Sequence, residues 1–523
     1  MQFRNFLILT TLLAQAALGA PLNRERSNII KVSQTEINQI LKKEAMQIQS
    51  GLRALELNKE LSVNHFTREQ LIVVKKLAQQ FIQCAKQSLD VQKCAPFREK
   101  MNMVDDNGRF VTSIGEKDTP SLIGPGDVLS GIGDSLDMMN NQEALSAEYA
   151  EILKSLPKSS QRGLPNLAQF SRLKPSQMQG VLNRQIYPLV EKLIDLNITP
   201  NKTPSSEDKW NAQTKCEDAI GYSYIDSDTT DNAYRCDYSQ LDENGILKNK
   251  EFPLKYFTPC IKAQKSRGTC SSFAVVGALE IRLLKNRKQE YNLSEQFTYF
   301  YNEIYGGWWG RYQYGVTTVN ALKDLKNKSL SIPLEKHWVY NPGYSMEDYD
   351  SSTKKHPKSC VDYNGQKCTN YAFQSGESRS GLNYTYTVPS KPKPHVKVNS
   401  RYSFWNPLNP KGALDTAINY LNNGDPIIVA FKVKENFRSK GGGDNYVKYA
   451  ERSGGGGHAS VLVGFVRNED LPAGAEKATE KGFFILRNSW GGKWADCGHI
   501  YVDYKYMQKY ASGLARITYN LQN

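Results

Sequence analysis

The stretch Ala263-Gln264-Lys-Ser-Arg-Gly-Thr-Cys270-Ser-Ser-Phe-Ala274 decides how this chain is read. It sets a cysteine at the head of Ser271–Leu284, a segment apolar nearly all round with only Glu280 and Arg282 charged. Such a pattern predicts a buried helix. A helix N-terminus offers free N–H groups and partial positive charge, and both favour thiolate over thiol. Gln264 stands six residues earlier. Further on, the glycine run Gly454–Gly457 leads into His458-Ala459-Ser460, which places a histidine at the entry to a strand predicted over Ala459–Phe465. Ile485-Leu-Arg-Asn488-Ser489-Trp490-Gly-Gly492 places Asn-Ser-Trp just past a second strand, Gly482–Leu486. Pro426–Val433 reads as a third.

Taken singly these residues have plain readings. Cys270 is a buried structural cysteine, His458 a core histidine, Asn488 a turn residue and Trp490 core packing. Taken together, in the order Gln, Cys, His, Asn, they resemble the catalytic segments of papain-like cysteine peptidases. The resemblance takes in Leu293-Ser-Glu-Gln296 as a helix start and Ala413–Val433 as a helix–Pro–strand step. It also takes in the spacing of Trp494, Gly498 and Ile500 after Asn488, and covers roughly residues 252–515. It implies an α+β fold: a two-lobed catalytic domain, with a helical lobe and an antiparallel β-barrel-like lobe, preceded here by a mainly α-helical N-terminal region.

The resemblance also implies roles. Cys270 attacks a peptide carbonyl to form an acyl-enzyme. His458 pairs with it as imidazolium, lowering the thiol pKa from about 8.5 to about 3–4, and later protonates the leaving amine. Asn488 fixes the imidazole, as the third group of a triad does, and Trp490 shields that hydrogen bond. Gln264 and the Cys270 backbone N–H donate to the developing oxyanion. Gly315 is expected to pair with substrate backbone, and Ala459 to line the pocket for the substrate's second side chain, with an apolar preference. Two positions depart from the pattern. Arg267 stands where the family has a disulfide cysteine, and Ser271 where it has an aromatic. The separation from Cys270 to His458 exceeds the family's, consistent with an insertion at about 340–400. The implied reaction is endopeptidase hydrolysis. Transpeptidation or ligation, exopeptidase action, or a catalytically silent binding protein on the same scaffold remain alternatives. No cofactor or metal is implied, and the partners are peptide or protein substrates.

The rest of the sequence supplies context. Residues 1–20 read as a secretory signal peptide, with Arg4, an apolar stretch Phe6–Leu13 and small residues to Ala20. Cleavage after Ala16 or Gly19 leaves no later apolar run long enough to span a membrane, so the expected location is secreted or extracytoplasmic. The 523 residues carry 67 Lys+Arg and 53 Asp+Glu, a net +14. Residues 251–523 hold 37 of the bases and 23 of the acids, leaving 30 of each before them. The whole excess therefore lies in the C-terminal half, scattered, which argues against a nucleic-acid module and against charge pairing between the two halves.

Residues 21–205 are expected to be a helical N-terminal region. An apolar stripe at Ile37, Leu41, Ile48, Leu52 and Leu55 supports a helix within 28–100. A second helix is expected from Thr67, with Gln70 as capping-box partner. Residues 104–135, rich in Gly, Asp and Ser, read as loop. Shorter helices are expected over 142–195, then a linker at 199–211. Residues 206–251 lead into the catalytic unit at 252–523, and the N-terminal region is a candidate intramolecular inhibitor.

An exported chain is expected to form disulfides. Nine cysteines give three close couples, Cys84–Cys94, Cys216–Cys236 and Cys360–Cys368, although sequence alone leaves connectivity open. The resemblance adds Cys260–Cys497, which leaves Cys270 free.

Overall fold

The computed structural model describes residues 27–110, 124–195, 216–221, 233–234, 236, 241, 245–265, 268–306, 322, 325–338, 340, 373–377, 383–389, 393–439, 445–451 and 455–523. The chain opens with β1 (Ser27–Ser33) and α1 (Gln34–Leu57). Ser33 and Glu36 form a reciprocal capping box that starts the helix, each satisfying the other's backbone N–H. Then follow α2 (Lys59–His65), α3 (Arg68–Gln87), α4 (Val91–Asn102), α5 (Pro125–Met139), α6 (Gln142–Ser155) and, after shorter turns, α7 (Tyr187–Asp195).

Three sequence expectations change here. Residues 27–33 form a strand, because they pair in register with 383–389 of the insertion, a partner no local pattern reveals. Thr67 does cap α3, but Gln70 donates its side chain to the Val104 carbonyl instead of closing a box. The predicted loop at 104–135 holds α5. Its glycines serve close packing: a Cβ on Gly133 would stand 1.8 Å from the Gln47 carbonyl oxygen, and one on Gly51 of α1 would stand 2.1 Å from that of Leu129. Its polar residues are buried in contacts. Arg98 bonds Glu44 at 2.7 Å and Asn102 at 2.9 Å, and pairs with Asp127, while Asn102 donates to Asp127 at 2.7 Å. This cluster ties α1, α4 and α5 together.

The second half contains α8 (Cys270–Arg287), α9 (Glu295–Gly306), β2 (Ser331–Pro333), β3 (Phe373–Glu377), β4 (Asn383–Pro389), β5 (His395–Ser403), α10 (Pro410–Asn422), β6 (Ile427–Lys432), β7 (Tyr446–Val447), β8 (Gly457–Arg467), β9 (Gly482–Arg487), β10 (His499–Asp503), α11 (Tyr504–Tyr510) and β11 (Ala511–Gln522). Eight strands form one sheet in the order β2-β5-β11-β6-β8-β9-β10-β7, antiparallel except for the β10–β7 pair. A second sheet runs β1-β4-β3 and so joins the N-terminal strand to the insertion. Helix α8 packs on β8 and β6. The fold is α+β.

The N-terminal helices have no core separate from the second half. One apolar cluster joins Leu129 and Ile132 of α5 to Cys270, Ala459 and Ile517. Another joins Tyr149, Ile152 and Val190 to Ala413, Leu414 and Val429. The joint is also charged, contrary to expectation. Lys328–Glu36, Lys432–Asp106, Arg401–Asp134, Arg516–Glu151, Lys411–Glu191, Lys481–Glu191 and Lys509–Glu60 cross it. In every one the acid belongs to the first half and the base to the second. A neutral total conceals an acidic face.

The disulfides differ in part from expectation. Cys84–Cys94 forms, but the other two described bonds are Cys216–Cys260 and Cys236–Cys497, in place of Cys216–Cys236 and Cys260–Cys497. The reason is spatial. Ala233–Tyr234 pair with Ile261–Lys262 and Ile220 bridges to Tyr291, which sets Cys216 and Cys236 beside segments of the second half distant in sequence. Cys360 and Cys368 lie outside the described residues.

Candidate active site

Cys270 is the first residue of α8, and the cysteine that the described disulfides leave free is this one. The hydroxyl of Thr269, just before it, is occupied by the Tyr340 hydroxyl at 2.7 Å. The α8 start therefore has no side-chain cap, and its first N–H groups keep their pull on an anion. Across from it β8 brings His458 and Ala459, and the Ala459 and Ser271 N–H groups both favour the anionic form of the Cys270 sulfur.

The orientation of the Asn488 amide can be read from its neighbours. Its Oδ1 accepts the Ser489 backbone N–H at 2.9 Å, which only an oxygen can do. The same Oδ1 lies 2.7 Å from His458 Nε2. His458 therefore carries its proton on Nε2 and keeps a lone pair on Nδ1, the state a proton acceptor needs. Trp490 stands beside this pair, its ring 5.0 Å from the imidazole, and Phe431 and Phe437 wall the histidine at 5.6 and 6.2 Å.

Gln264 is held at three points. Its N–H donates to the Ser489 carbonyl at 2.8 Å, its Oε1 accepts the Ser489 hydroxyl at 2.6 Å, and its carbonyl accepts the Tyr340 hydroxyl at 2.8 Å. Sequence reasoning misses both Ser489 and Tyr340 as supports of this amide. Ser489 sits inside the Asn-Ser-Trp motif and gives a usable signal, whereas Tyr340 stands at the edge of the insertion and gives none.

The site is covered. Cys270 and His458 are each 0% exposed. Burial pushes the Cys270 thiol up to about 12, against the pull of the Ala459 and Ser271 N–H groups, and the Asp127 carboxylate of α5 adds to the rise. Burial lowers His458 to about 4, opposed by its bond to Asn488. Burial thus weighs against the charged pair expected from sequence, and helix α5, whose Leu129 and Ile132 share an apolar cluster with Cys270, contributes to that burial.

The remaining expected site residues divide simply. Ala459 is buried with its N–H on the thiol, and Ser271, the second residue of α8, bonds the same sulfur through its N–H and its side chain. Gly315 and Arg267 lie outside the described residues. Among the described residues no cluster of three His, Cys, Asp or Glu side chains could hold a metal, and no helix is long and apolar enough to cross a membrane.

Comparison with known proteins agrees with this reading at the family level. Residues 344–516 match the family model described as papain family cysteine protease. A curated relative, an uncharacterized peptidase C1-like protein of Acanthamoeba polyphaga mimivirus, is 37% identical over 91 residues, 17% of this chain. The chain spans 25% of that relative's length. Among solved structures, xylellain, a cysteine protease from Xylella fastidiosa, is similar at 19% identity and a TM-score of 0.34, covering 58% of this chain and 98% of its own. The bromelain protease of Ananas comosus is similar at 15% identity and a TM-score of 0.30, covering 50% of this chain and 94% of its own. Over residues 344–516 the chain is thus similar to the papain family of cysteine proteases.

Proposed function

We propose that this protein is a secreted cysteine endopeptidase made as a latent precursor. The observation that carries the reading is the directed chain Asn488 Oδ1 to His458 Nε2–H, whose other nitrogen is left as base on the strand that faces Cys270. Once water enters, a proton passes from Cys270 Sγ to His458 Nδ1. The thiolate adds to a peptide carbonyl, and the oxyanion takes hydrogen bonds from the Cys270 N–H and the Gln264 amide, each worth about 3 kcal/mol. Collapse expels the amine, which takes the proton from His458 Nδ1. Water, deprotonated by the same nitrogen, then cleaves the thioester and regenerates the thiol. The three disulfides among the described residues support an oxidising compartment.

Latency is supported by the covering of Cys270 and His458 and by the position of Asp127 near the thiol. The N-terminal region acts as the intramolecular inhibitor, freed by autocleavage near 199–250, outright when the cut falls before Cys216 and otherwise only once the disulfides that span the cut are reduced. Incubation of the purified full chain tests both parts. The expected result is a cut in that interval, a gain in peptide hydrolysis, and labelling by a thiol-directed reagent that Cys270→Ala abolishes. Full activity of the uncut chain would overturn latency. Transfer of the acyl group to an added amine in preference to water would identify a ligase.

A further inference from the structure

Behind Asn488 lies a cavity of about 10 Å³ (space for the centre of a water molecule), lined by Lys262, Phe273, Glu280, Arg487, Asn488 and Ser489 among others. Two of its walls carry polar atoms with no partner among the described residues, Asn488 Nδ2 and Glu280 Oε2. Both side chains are buried, at 2% and 1% exposure. Their other atoms are fully engaged. Asn488 Oδ1 serves His458 and Ser489, and Glu280 Oε1 accepts the Lys262 ammonium at 2.8 Å and the Leu293 N–H at 2.8 Å. Lys262 is itself braced by Glu295 at 2.7 Å. A leftover donor and a leftover acceptor therefore belong to two residues that line one small space, large enough for a single water. Buried polar groups take such a partner, since leaving them bare costs about 1–3 kcal/mol each.

We propose that Glu280 is a positioning residue for the asparagine of the site, acting through one water that accepts from Asn488 Nδ2 and donates to Glu280 Oε2. This rests on the peptidase reading for its consequence, but not for its test. Glu280 belongs to α8, ten residues after Cys270. The helix that carries the nucleophile thus also fixes the amide that orients the histidine on the opposing sheet. With the water committed to a carboxylate, Nδ2 stays turned toward the cavity and Oδ1 toward His458. In Glu280→Gln the Leu293 N–H and Lys262 keep the amide oxygen, so a donor faces the water. The water's hydrogens are then free for Asn488 Oδ1, and the amide can turn over.

The test uses the full chain labelled with ¹⁵N in histidine and follows solvent exchange of the His458 Nε2 proton, assigned by its loss of protection in Asn488→Ala. Glu280→Gln is expected to speed exchange at least 10-fold, and Glu280→Asp, which keeps the charge, to restore part of the protection. In the Asn488→Ala background Glu280→Gln is expected to add nothing. Unchanged exchange in Glu280→Gln overturns the proposal, as does an equal effect in both backgrounds, which would mark a general loss of packing. Should Glu280→Gln not fold, a crystal structure of the unaltered chain decides. A water within hydrogen-bond distance of both Asn488 Nδ2 and Glu280 Oε2 supports the assignment, and none there refutes it. None of these readouts requires turnover, so an inactive protein would sink the peptidase reading while leaving this one standing.

Discussion

The two halves of the chain meet as unlike surfaces. The second half brings the bases and the first the acids in all seven described ion pairs that cross the joint, although the first half is neutral in total. They differ in chemistry as well. The second half holds the cysteine, histidine, asparagine and glutamine on α8, β8, the turn after β9 and the segment before α8, whereas the first contributes one helix, α5, laid across them. Net charge says how much charge a region has; where it faces is settled by folding.

Removing the chemistry while keeping the cover separates the two roles most sharply. Cys270→Ala is expected to reduce peptide hydrolysis by the processed enzyme by about 10³-fold or more, with thermal stability of the full chain little changed. Residual activity near the unaltered level would show that the reaction belongs elsewhere. Gln264→Ala should lower kcat by about 10²-fold with KM held, since the amide meets charge that exists only in the transition state. An equal rise in KM would mean that it binds substrate instead.

The opposite operation loosens the cover and spares the chemistry. Arg98→Met strands Glu44 and Asp127 in the interior, a loss of about 3–5 kcal/mol for a buried pair, and frees the start of α5. Alkylation of Cys270 in the uncut chain is expected to quicken at least 10-fold. No change would dissociate the Arg98 cluster from the covering of the thiol.

Protons act on the joint in opposing senses. His65 of α2 is lowered to about 3 by burial and by the Lys432 and Lys434 ammoniums. Its folded pKa is depressed, so the unfolded state binds the extra proton, and its contribution is lost as pH falls from about 6.5 toward 3. Glu148 of α6 is raised to about 7 by burial, opposed by the Tyr187 hydroxyl at 2.6 Å. Its contribution is complete below about 4.5 and is lost as pH rises through about 7. Between about 4.5 and 6.5 the two slopes cancel. Stability measured against pH in His65→Gln and Glu148→Gln, each subtracted from the parent, should give slopes of opposite sign. Parallel differences would defeat this account.

The smallest effect belongs to the ion pairs. Glu151→Gln and Glu191→Gln should each weaken the hold of the cut N-terminal region by about 0.2–1 kcal/mol, with the loss fading as salt is raised. A loss that persists at high salt would point to packing.

What is legible in the sequence follows from the range of each interaction. Helix α8 and strands β6, β8 and β9 can be read because local periodicity encodes them, whereas the grouping of Gln264, Cys270, His458 and Asn488 is what the resemblance to papain-like peptidases implies. The pair Cys84–Cys94 is legible too, its cysteines ten residues apart. What cannot be read depends on distant partners: β1 on β4, α5 on the Gln47 backbone and the Arg98 cluster, Tyr340 on Gln264, and the crossed cysteines. Helix α5 misleads most, because glycine and buried aspartate in a close-packed helix have the composition of a loop.

The disulfide map also bears on how processing would be felt in solution. Cys84–Cys94 closes within the N-terminal region, while Cys216–Cys260 and Cys236–Cys497 both close within the remainder. Among the described bonds, the backbone across 196–215 is the sole covalent link between helices α1–α7 and the rest of the chain. A single cut there turns the cover from a tethered group, held at an effective concentration in the millimolar range or above, into a separate molecule. For the inhibitor proposed above, latency would from then on depend on dilution. A cut between residues 217 and 235 has another outcome, because Cys216 stays bonded to Cys260 and the two pieces part only on reduction.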